Sequence, residues 1–359
     1  MNEMSGVFCD TVWLNANIAT MCGNGRVAAQ YENGCIVEQD GKIAAIGEAS
    51  MARRVVPRAV VDCEGRWIMP GLIDCHTNLA EPGAAHGTSA EHLIDAALAR
   101  VDALISEGVT TIEIKCGYGR DFDSEITQLE CAHRIGKLRD VRIKSTYMGF
   151  DGGHKSADRE PVQYVQFANG AVLHYTRANQ LADCGAAFEA EAGLATARHA
   201  GGSSAARLRP ASRLLQPDRL DLSGVERAFS LKQSGSVAVL QPSAFYFACE
   251  AHKPPVNLLR SCGVPVALSS DRYPDTSPSR SLRLAMNMGA GLLGLTVDEC
   301  LRGVTINAAK ALGIDDMHGS LEPGKVCDLS IFEVGSLDEL VRSIGHTPLH
   351  SRVIAGRSV

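Results

Sequence analysis

The sequence predicts an α/β protein: a (β/α)8 TIM-type barrel joined to a small β-sandwich domain built from both chain ends. Two observations lead to this prediction. After Pro70, apolar strands alternate with helical stretches over roughly 250 residues, the extent of such a barrel. Before Pro70 and beyond Ile314, short strands and turns dominate. We therefore expect residues 1–69 and 319–359 to form the small domain and residues 70–318 the barrel.

The terminal segments show the patterns of antiparallel strands. Residues 36–39 and 42–46 are mainly apolar and flank Asp40-Gly41, a pair typical of two-residue hairpin turns. Near the other end, an apolar run at residues 329–332 follows a turn-rich segment, and residues 351–357 complete this β pattern. These runs predict the strands of the small domain.

The central segment gives most of the barrel strands and their helices. We expect helices at residues 89–107, 124–138 and 255–262. The fourth strand is best placed at residues 171–175, and no clear sixth strand lies between His199 and Ser230. The other strands are expected at residues 71–78, 109–115, 143–149, 194–199, 237–240 and 264–269.

Composition narrows the classes of partner. The net charge of −6 gives no reason to expect nucleic acid or an anionic membrane surface. No apolar run approaches the ~18 residues of a membrane span, and the amino terminus lacks the pattern of a signal peptide. The twelve cysteines show no paired spacing, so we interpret them as buried thiols of a cytoplasmic protein.

Four candidate functional side chains follow the predicted strands: His76, Tyr118, His199 and Asp271. Active sites of such barrels lie at the carboxyl ends of the strands. Two imidazoles and one carboxylate suit a catalytic metal ion, which lowers the pKa of a bound water toward ~7. Asp271 could both bind the ion and carry the proton to a leaving nitrogen. A lone histidine is more often structural, but His76 and His199 each close an apolar strand.

The first of these strand ends departs from a common metal motif. Side chains two residues apart on a strand share a face, so a His-x-His pair can reach one ion. Here the pair is His76 and Asn78, and a neutral amide is a poorer ligand for a zinc-like ion than imidazole. The motif thus predicts a metal site with one weakened position.

Several longer segments resemble imidazolonepropionases of the amidohydrolase superfamily, and the resemblance covers nearly the whole chain. It implies a metal-dependent hydrolase that opens the cyclic amide of 4-imidazolone-5-propanoate to N-formimidoyl-glutamate. It implies one divalent ion, zinc or iron, at His76, position 78, His199 and Asp271, with Tyr118 near a small-molecule substrate, and it leaves a homodimer open. The matching segments are residues 70–76, 108–119, 238–247, 271–278, 285–288 and 344–352.

The chain also differs from that family at predicted site positions. A segment that carries a substrate-binding arginine in the family is shortened to eight residues between Asn78 and Gly87. The acidic residue expected after His199 is missing. Three further positions hold other residues than the family pattern: Asn78, Phe150-Asp151 and Arg219. A missing general acid or base typically costs ~10² to 10⁴ in rate.

Four hypotheses stay open from the sequence. The chain is an active imidazolonepropionase, a non-catalytic binding or structural relative, or a hydrolase with a changed substrate. Alternatively, residues 201–230 reflect a damaged reading frame. Alternation along the second strand buries Glu113. Lys115 is expected toward the barrel mouth, as a substitute electrostatic group or as part of a structural ion pair, and the structural ion pair is favoured.

Overall fold

The computed structural model describes residues 6–23, 31–77, 90–116, 122–147, 164–168, 171–175, 214–215, 232–233, 235–249, 253–270 and 279–359. The strands are β1 (Val7–Ile18), β2 (Tyr31–Gln39), β3 (Lys42–Glu48), β4 (Val55–Asp62), β5 (Trp67–Pro70), β6 (Leu72–Thr77), β7 (Val109–Cys116), β8 (Arg142–Tyr147), β9 (Tyr164–Ala168), β10 (Ala171–Tyr175), β11 (Leu214–Leu215), β12 (Val237–Leu240), β13 (Val266–Leu268), β14 (Leu329–Phe332), β15 (Leu349–Ile354) and β16 (Arg357–Ser358). The helices are α1 (Ala90–Ile105), α2 (Phe122–Leu138), α3 (Pro242–Phe247), α4 (Val256–Ser261), α5 (Leu282–Leu293), α6 (Val297–Gly303), α7 (Ile306–Leu312) and α8 (Leu337–Arg342), besides a 3-10 helix at Ala49–Arg54.

One eight-stranded sheet combines strands from both ends of the chain. Its order is β16-β15-β14-β5-β1-β2-β3, and β4 pairs in parallel with β1. Asp40 and Gly41 join β2 to β3 with φ values of 52° and 78°, so the predicted hairpin is confirmed. The domain boundaries at residues 69 and 319 stay a prediction.

Both faces of this terminal sheet are covered by apolar side chains. Trp13 and Ile36 belong to one buried cluster, which also contains Ile331 from β14. Val12 and Val37, their neighbours along the strands, belong to a second buried cluster. Because alternate residues of a strand point to opposite faces, the sheet carries a packed layer on each side.

The described part of the α/β region contains two three-stranded parallel sheets, besides the two-stranded sheet of β9 and β10. One has the order β6-β7-β8 and the other β11-β12-β13, and β13 packs beside β6. Helices α1 and α2 cover β7 and β8, whereas α5 and α6 pack against β13. The predicted strands at residues 71–78, 109–115, 143–149, 237–240 and 264–269 are confirmed with small shifts of their ends, as are the three predicted helices.

Two strand predictions need correction, and one lies outside the described residues. Residues 171–175 form a strand, but β10 pairs antiparallel with β9 and therefore does not continue a parallel barrel sheet. No clear sixth strand was expected between His199 and Ser230, yet β11 (Leu214–Leu215) pairs in parallel with β12. The predicted strand at residues 194–199 is not among the described residues.

The cysteines agree with the interpretation as buried thiols. The ten cysteines whose side chains the structure describes are free, and seven of these are buried. Burial raises the pKa of the Cys63 thiol to about 12, which keeps it protonated and unreactive at neutral pH. Among the described helices, none is both long and apolar enough to cross a membrane.

Candidate metal centre

His76 lies at the carboxyl end of the buried strand β6. All six residues of β6 are buried, and His76 is 2% exposed. The strand pairs with β7 on one side and packs beside β13 on the other, so neither of its faces reaches solvent. The imidazole is therefore held at the edge of the parallel sheet where catalytic groups gather.

Asp74 connects β6 to the end of β13. Its Oδ1 accepts hydrogen bonds from the backbone N–H groups of Ser270, at 3.2 Å, and His76, at 3.5 Å. Burial raises the pKa of the Asp74 carboxyl to about 7, although the hydrogen bonds from Ser270 and His76 act to lower it. Ser270 directly precedes Asp271, so this carboxylate links the strand ends that carry two predicted metal ligands.

Glu113 and Lys115 form a buried charge pair on β7. Both side chains are at most 1% exposed, and Lys115 Nζ lies 4.0 Å from Glu113 Oε2, which agrees with the predicted structural ion pair. The Thr77 hydroxyl donates to the backbone carbonyl of Glu113, which ties the ends of β6 and β7 together. On β8, burial lowers the pKa of Lys144, and nearby Glu113 opposes that effect. The interior beside His76 is therefore charged as well as buried.

The other predicted site residues lie outside the described residues: Asn78, Tyr118, His199 and Asp271. Within the described segments, no group of three or more His, Cys, Asp or Glu residues could hold a metal ion. The convergence of His76 with His199 and Asp271 therefore stays a prediction.

Comparison with known proteins identifies the lineage. Residues 249–357 match the model of the amidohydrolase family. The chain is 38% identical to the imidazolonepropionase of Methylobacterium sp. (strain 4-46), over 98% of this chain and 100% of that protein. It is also 38% identical to the imidazolonepropionase of Mesorhizobium japonicum, over 96% of this chain and 97% of that protein. The chain belongs to the imidazolonepropionase family.

Solved structures with low sequence identity share the fold. An adenosine deaminase from Xanthomonas campestris with bound zinc gives a TM-score of 0.69 at 16% identity, covering 98% of this chain and 93% of that one. A triazine hydrolase variant gives a TM-score of 0.71 at 15% identity, covering 97% and 94%. Guanine deaminase of E. coli gives a TM-score of 0.69 at 14% identity, covering 99% of this chain and 98% of that one. These similarities show that the chain has the α/β amidohydrolase fold. At such low identity they show the fold alone.

This member of the imidazolonepropionase family is shorter than a relative it matches end to end. The alignment with the Methylobacterium protein spans 407 positions, 48 more than the 359 residues of this chain. Positions of that imidazolonepropionase therefore lack counterparts here, in agreement with the shortened segment between Asn78 and Gly87.

Two of the family-like segments have structural roles. Asn287, on α5, donates through Nδ2 to the carbonyls of Val341, at 3.2 Å, and Arg342, at 3.0 Å, and so fixes the end of α8. Arg352, on β15, donates through Nη1 to the carbonyls of Val109 and Asp140, both at 3.0 Å. These contacts join the terminal sheet to the starts of β7 and β8.

A second buried aspartate lies near the amino ends of the parallel strands. Asp328 Oδ2 accepts from Arg142 Nη1 at 2.6 Å and lies 3.1 Å from His318 Nδ1, while Oδ1 accepts from the backbone N–H of Ala355 at 2.9 Å. Burial raises the pKa of Asp328, but these partners together outweigh it and hold the pKa below its ordinary value. This contact gives His318 a structural role.

The sequence interpretation missed Asp74 and Asp328 as connecting residues. A signal for Asp74 was present, because a carboxylate directly after the apolar residues that open β6 is costly to bury unless it accepts hydrogen bonds. Its partner Ser270 is 196 residues away, so the sequence alone could not have supplied it.

Proposed function

We propose that this chain hydrolyses the cyclic amide of 4-imidazolone-5-propanoate to N-formimidoyl-glutamate, a step of histidine degradation. The observation that carries the proposal is 38% identity to an imidazolonepropionase over 98% of this chain and the whole of that protein. The buried imidazole at the carboxyl end of β6 supports it, because a metal-dependent barrel hydrolase places ligands there.

The residues fit one divalent ion, zinc or iron. His76, His199 and Asp271 offer two imidazoles and a carboxylate, a donor set that leaves a coordination position for water or substrate. Imidazole suits both zinc and iron, so the donor types fit either ion. The link from Asp74 to the residue before Asp271 supports the placement of His76 and Asp271 near each other. A structural relative with bound zinc is consistent with this proposal.

Two residues of the chain have separate roles in the proposed hydrolysis. A bound ion would polarise the amide carbonyl and make a water molecule more acidic. Asp271 takes the proton from the water that attacks the carbonyl carbon and delivers it to the ring nitrogen as the carbon–nitrogen bond breaks. Tyr118 contacts the substrate. The products balance, because one water is consumed and the ring opens to a carboxylate and a formimidoyl nitrogen.

We further infer the finer architecture of the proposed enzyme. The parallel sheets β6-β7-β8 and β11-β12-β13 belong to one eight-stranded barrel. The terminal sheet, which carries apolar layers on both faces, forms the small β-sandwich domain. This arrangement places the metal centre on the barrel.

The proposal is tested by reloading metal-stripped protein with zinc or ferrous iron. We expect loss of the ultraviolet absorbance of imidazolonepropionate only after reloading, with N-formimidoyl-glutamate as the product. His76→Ala should abolish turnover and lower the bound metal, whereas His133→Ala, at an exposed position of α2, should change neither. Metal-loaded, folded protein that leaves the substrate unchanged would refute the proposed function.

A further inference from the structure

We infer that Asp74 is a positioning residue for the metal centre: its carboxylate sets the spacing between the strand ends that carry His76 and Asp271. The inference rests on the proposed function, since it concerns the same site. Asp74 does not contact substrate in this account. It acts through the backbone at His76 and at Ser270, the residue before Asp271.

The carboxylate lies across a seam between two sheets. Among the described residues, β6 belongs to one three-stranded sheet and β13 to another, with no ladder of backbone hydrogen bonds between them. Asp74 crosses this seam with one oxygen that accepts from both strands' backbones, at 3.2 and 3.5 Å. A weaker contact, from the Cys75 thiol to the Leu268 carbonyl at 3.8 Å, crosses at the same place. A side chain therefore fixes a separation that backbone pairing does not fix here.

The energetics favour a function over simple stabilisation. Asp74 is 0% exposed, and a buried carboxylate costs several kcal/mol of desolvation that hydrogen bonds only partly offset. An apolar residue would pack at this position in β6 at a lower cost, as its neighbours Ile73 and Cys75 do. A carboxyl oxygen has two lone pairs, so it can accept from two backbone N–H groups at once and hold them at a defined spacing.

The position of Asp74 also predicts how much the metal affinity changes when this residue is replaced. Groups that orient metal ligands without touching the ion typically change its affinity by ~10- to 100-fold when removed. Since Asp74 contacts the backbone of His76 and of Ser270, the residue before Asp271, its loss should act on metal affinity more than on folding. Asparagine keeps one acceptor oxygen without the charge, so its effect should lie between those of wild type and alanine.

The test measures zinc affinity of the metal-stripped full chain by competition with a chromophoric chelator. We expect Asp74→Ala to weaken zinc binding ~10- to 100-fold, with Asp74→Asn between it and the wild type. Ser330→Ala is the matched control. It removes another buried hydrogen bond, from the Ser330 hydroxyl to the Gly108 carbonyl at 2.6 Å, near the start of β7. It should lower the melting temperature and leave zinc affinity unchanged.

The outcomes separate this inference from the proposed function. Equal zinc affinity in wild type and Asp74→Ala, with only a lower melting temperature in the variant, would make Asp74 merely structural and overturn the inference. If Asp74→Ala does not fold, Asp74→Asn decides, and wild-type affinity in that variant overturns it. A wild-type chain that binds neither zinc nor ferrous iron would overturn the metal proposal itself and this inference with it.

Discussion

The buried Asp328 network allows a prediction whose size can be worked out from its contacts. In Asp328→Asn the side chain keeps its shape but loses its charge and one acceptor oxygen. The bond from Arg142, at 2.6 Å, is charge-assisted, and such bonds contribute about 1.5–3 kcal/mol each. Breaking a fully buried pair costs ~3–5 kcal/mol, but the Arg142 side chain is 30% exposed and keeps part of its hydration. We therefore expect a loss near the lower limit, about 3 kcal/mol.

The pH dependence of this loss follows from the direction of the pKa shift. The folded pKa of Asp328 lies below its ordinary value of 3.8, so the unfolded chain binds this proton more readily. The stabilisation is therefore present above pH ~4 and is lost as the pH falls through the depressed folded value. The advantage of wild type over Asp328→Asn should therefore shrink below pH ~4.

Thermal unfolding followed by circular dichroism measures both effects. At pH 7 we expect Asp328→Asn to melt about 6 °C below wild type, at ~2 °C per kcal/mol for a chain of this size. Asp338→Asn is the control, because it weakens an exposed pair with Arg342 that is worth ~0.5 kcal/mol or less. Equal melting temperatures at pH 7, or a gap that widens below pH 4, would refute the reasoning.

Three further perturbations test packing, helix capping and the metal set. A Cβ at Gly71 would lie 2.1 Å from Thr110 Oγ1, so Gly71→Ala should lower the free energy of unfolding in urea by ~1–3 kcal/mol. Adding Thr110→Ala should restore part of this stability. No rescue would exclude this clash as the cause. Glu107 accepts from the Arg283 backbone N–H at 3.0 Å, so Glu107→Ala should cost ~1 kcal/mol in the same assay, and an unchanged midpoint would argue against a capping role. Asn78→His should tighten zinc binding ~10-fold or more in a chelator competition; no change in bound metal would contradict the proposed convergence of ligands.

Local chemistry in the sequence predicted many of the elements. The Asp40-Gly41 hairpin was predictable because both residues readily adopt the positive φ values that this turn requires. Residues 237–240 were predicted as a strand with the bounds that β12 has, since a short, fully apolar run suits a strand buried on both faces. Such features depend only on neighbouring residues, so a short segment of sequence is enough to predict them.

Pairing between distant segments was harder to predict. Residues 171–175 were expected in the barrel, but β10 pairs antiparallel with β9, and the intervening Asn169-Gly170 in the sequence was an overlooked hairpin signal. Helix α8 was also missed, although Ser336 and Glu339 have the three-residue spacing typical of a helix start. In the structure the Ser336 hydroxyl accepts from the Glu339 backbone N–H.

Of the candidate site, the position of His76 was predictable from the sequence, whereas the contacts that support it were not. Strand alternation placed His76 at a strand end, where the structure has it. The Asp74–Ser270 contact depends on how two sheets meet across 196 residues, which no local pattern encodes.

The most direct test of the central claim is steady-state turnover of imidazolonepropionate by the purified full chain supplied with zinc or ferrous iron. The account predicts metal-dependent ring opening to N-formimidoyl-glutamate that is abolished by Asp271→Ala. Folded, metal-loaded protein without turnover would contradict it, and family membership would then describe ancestry rather than activity.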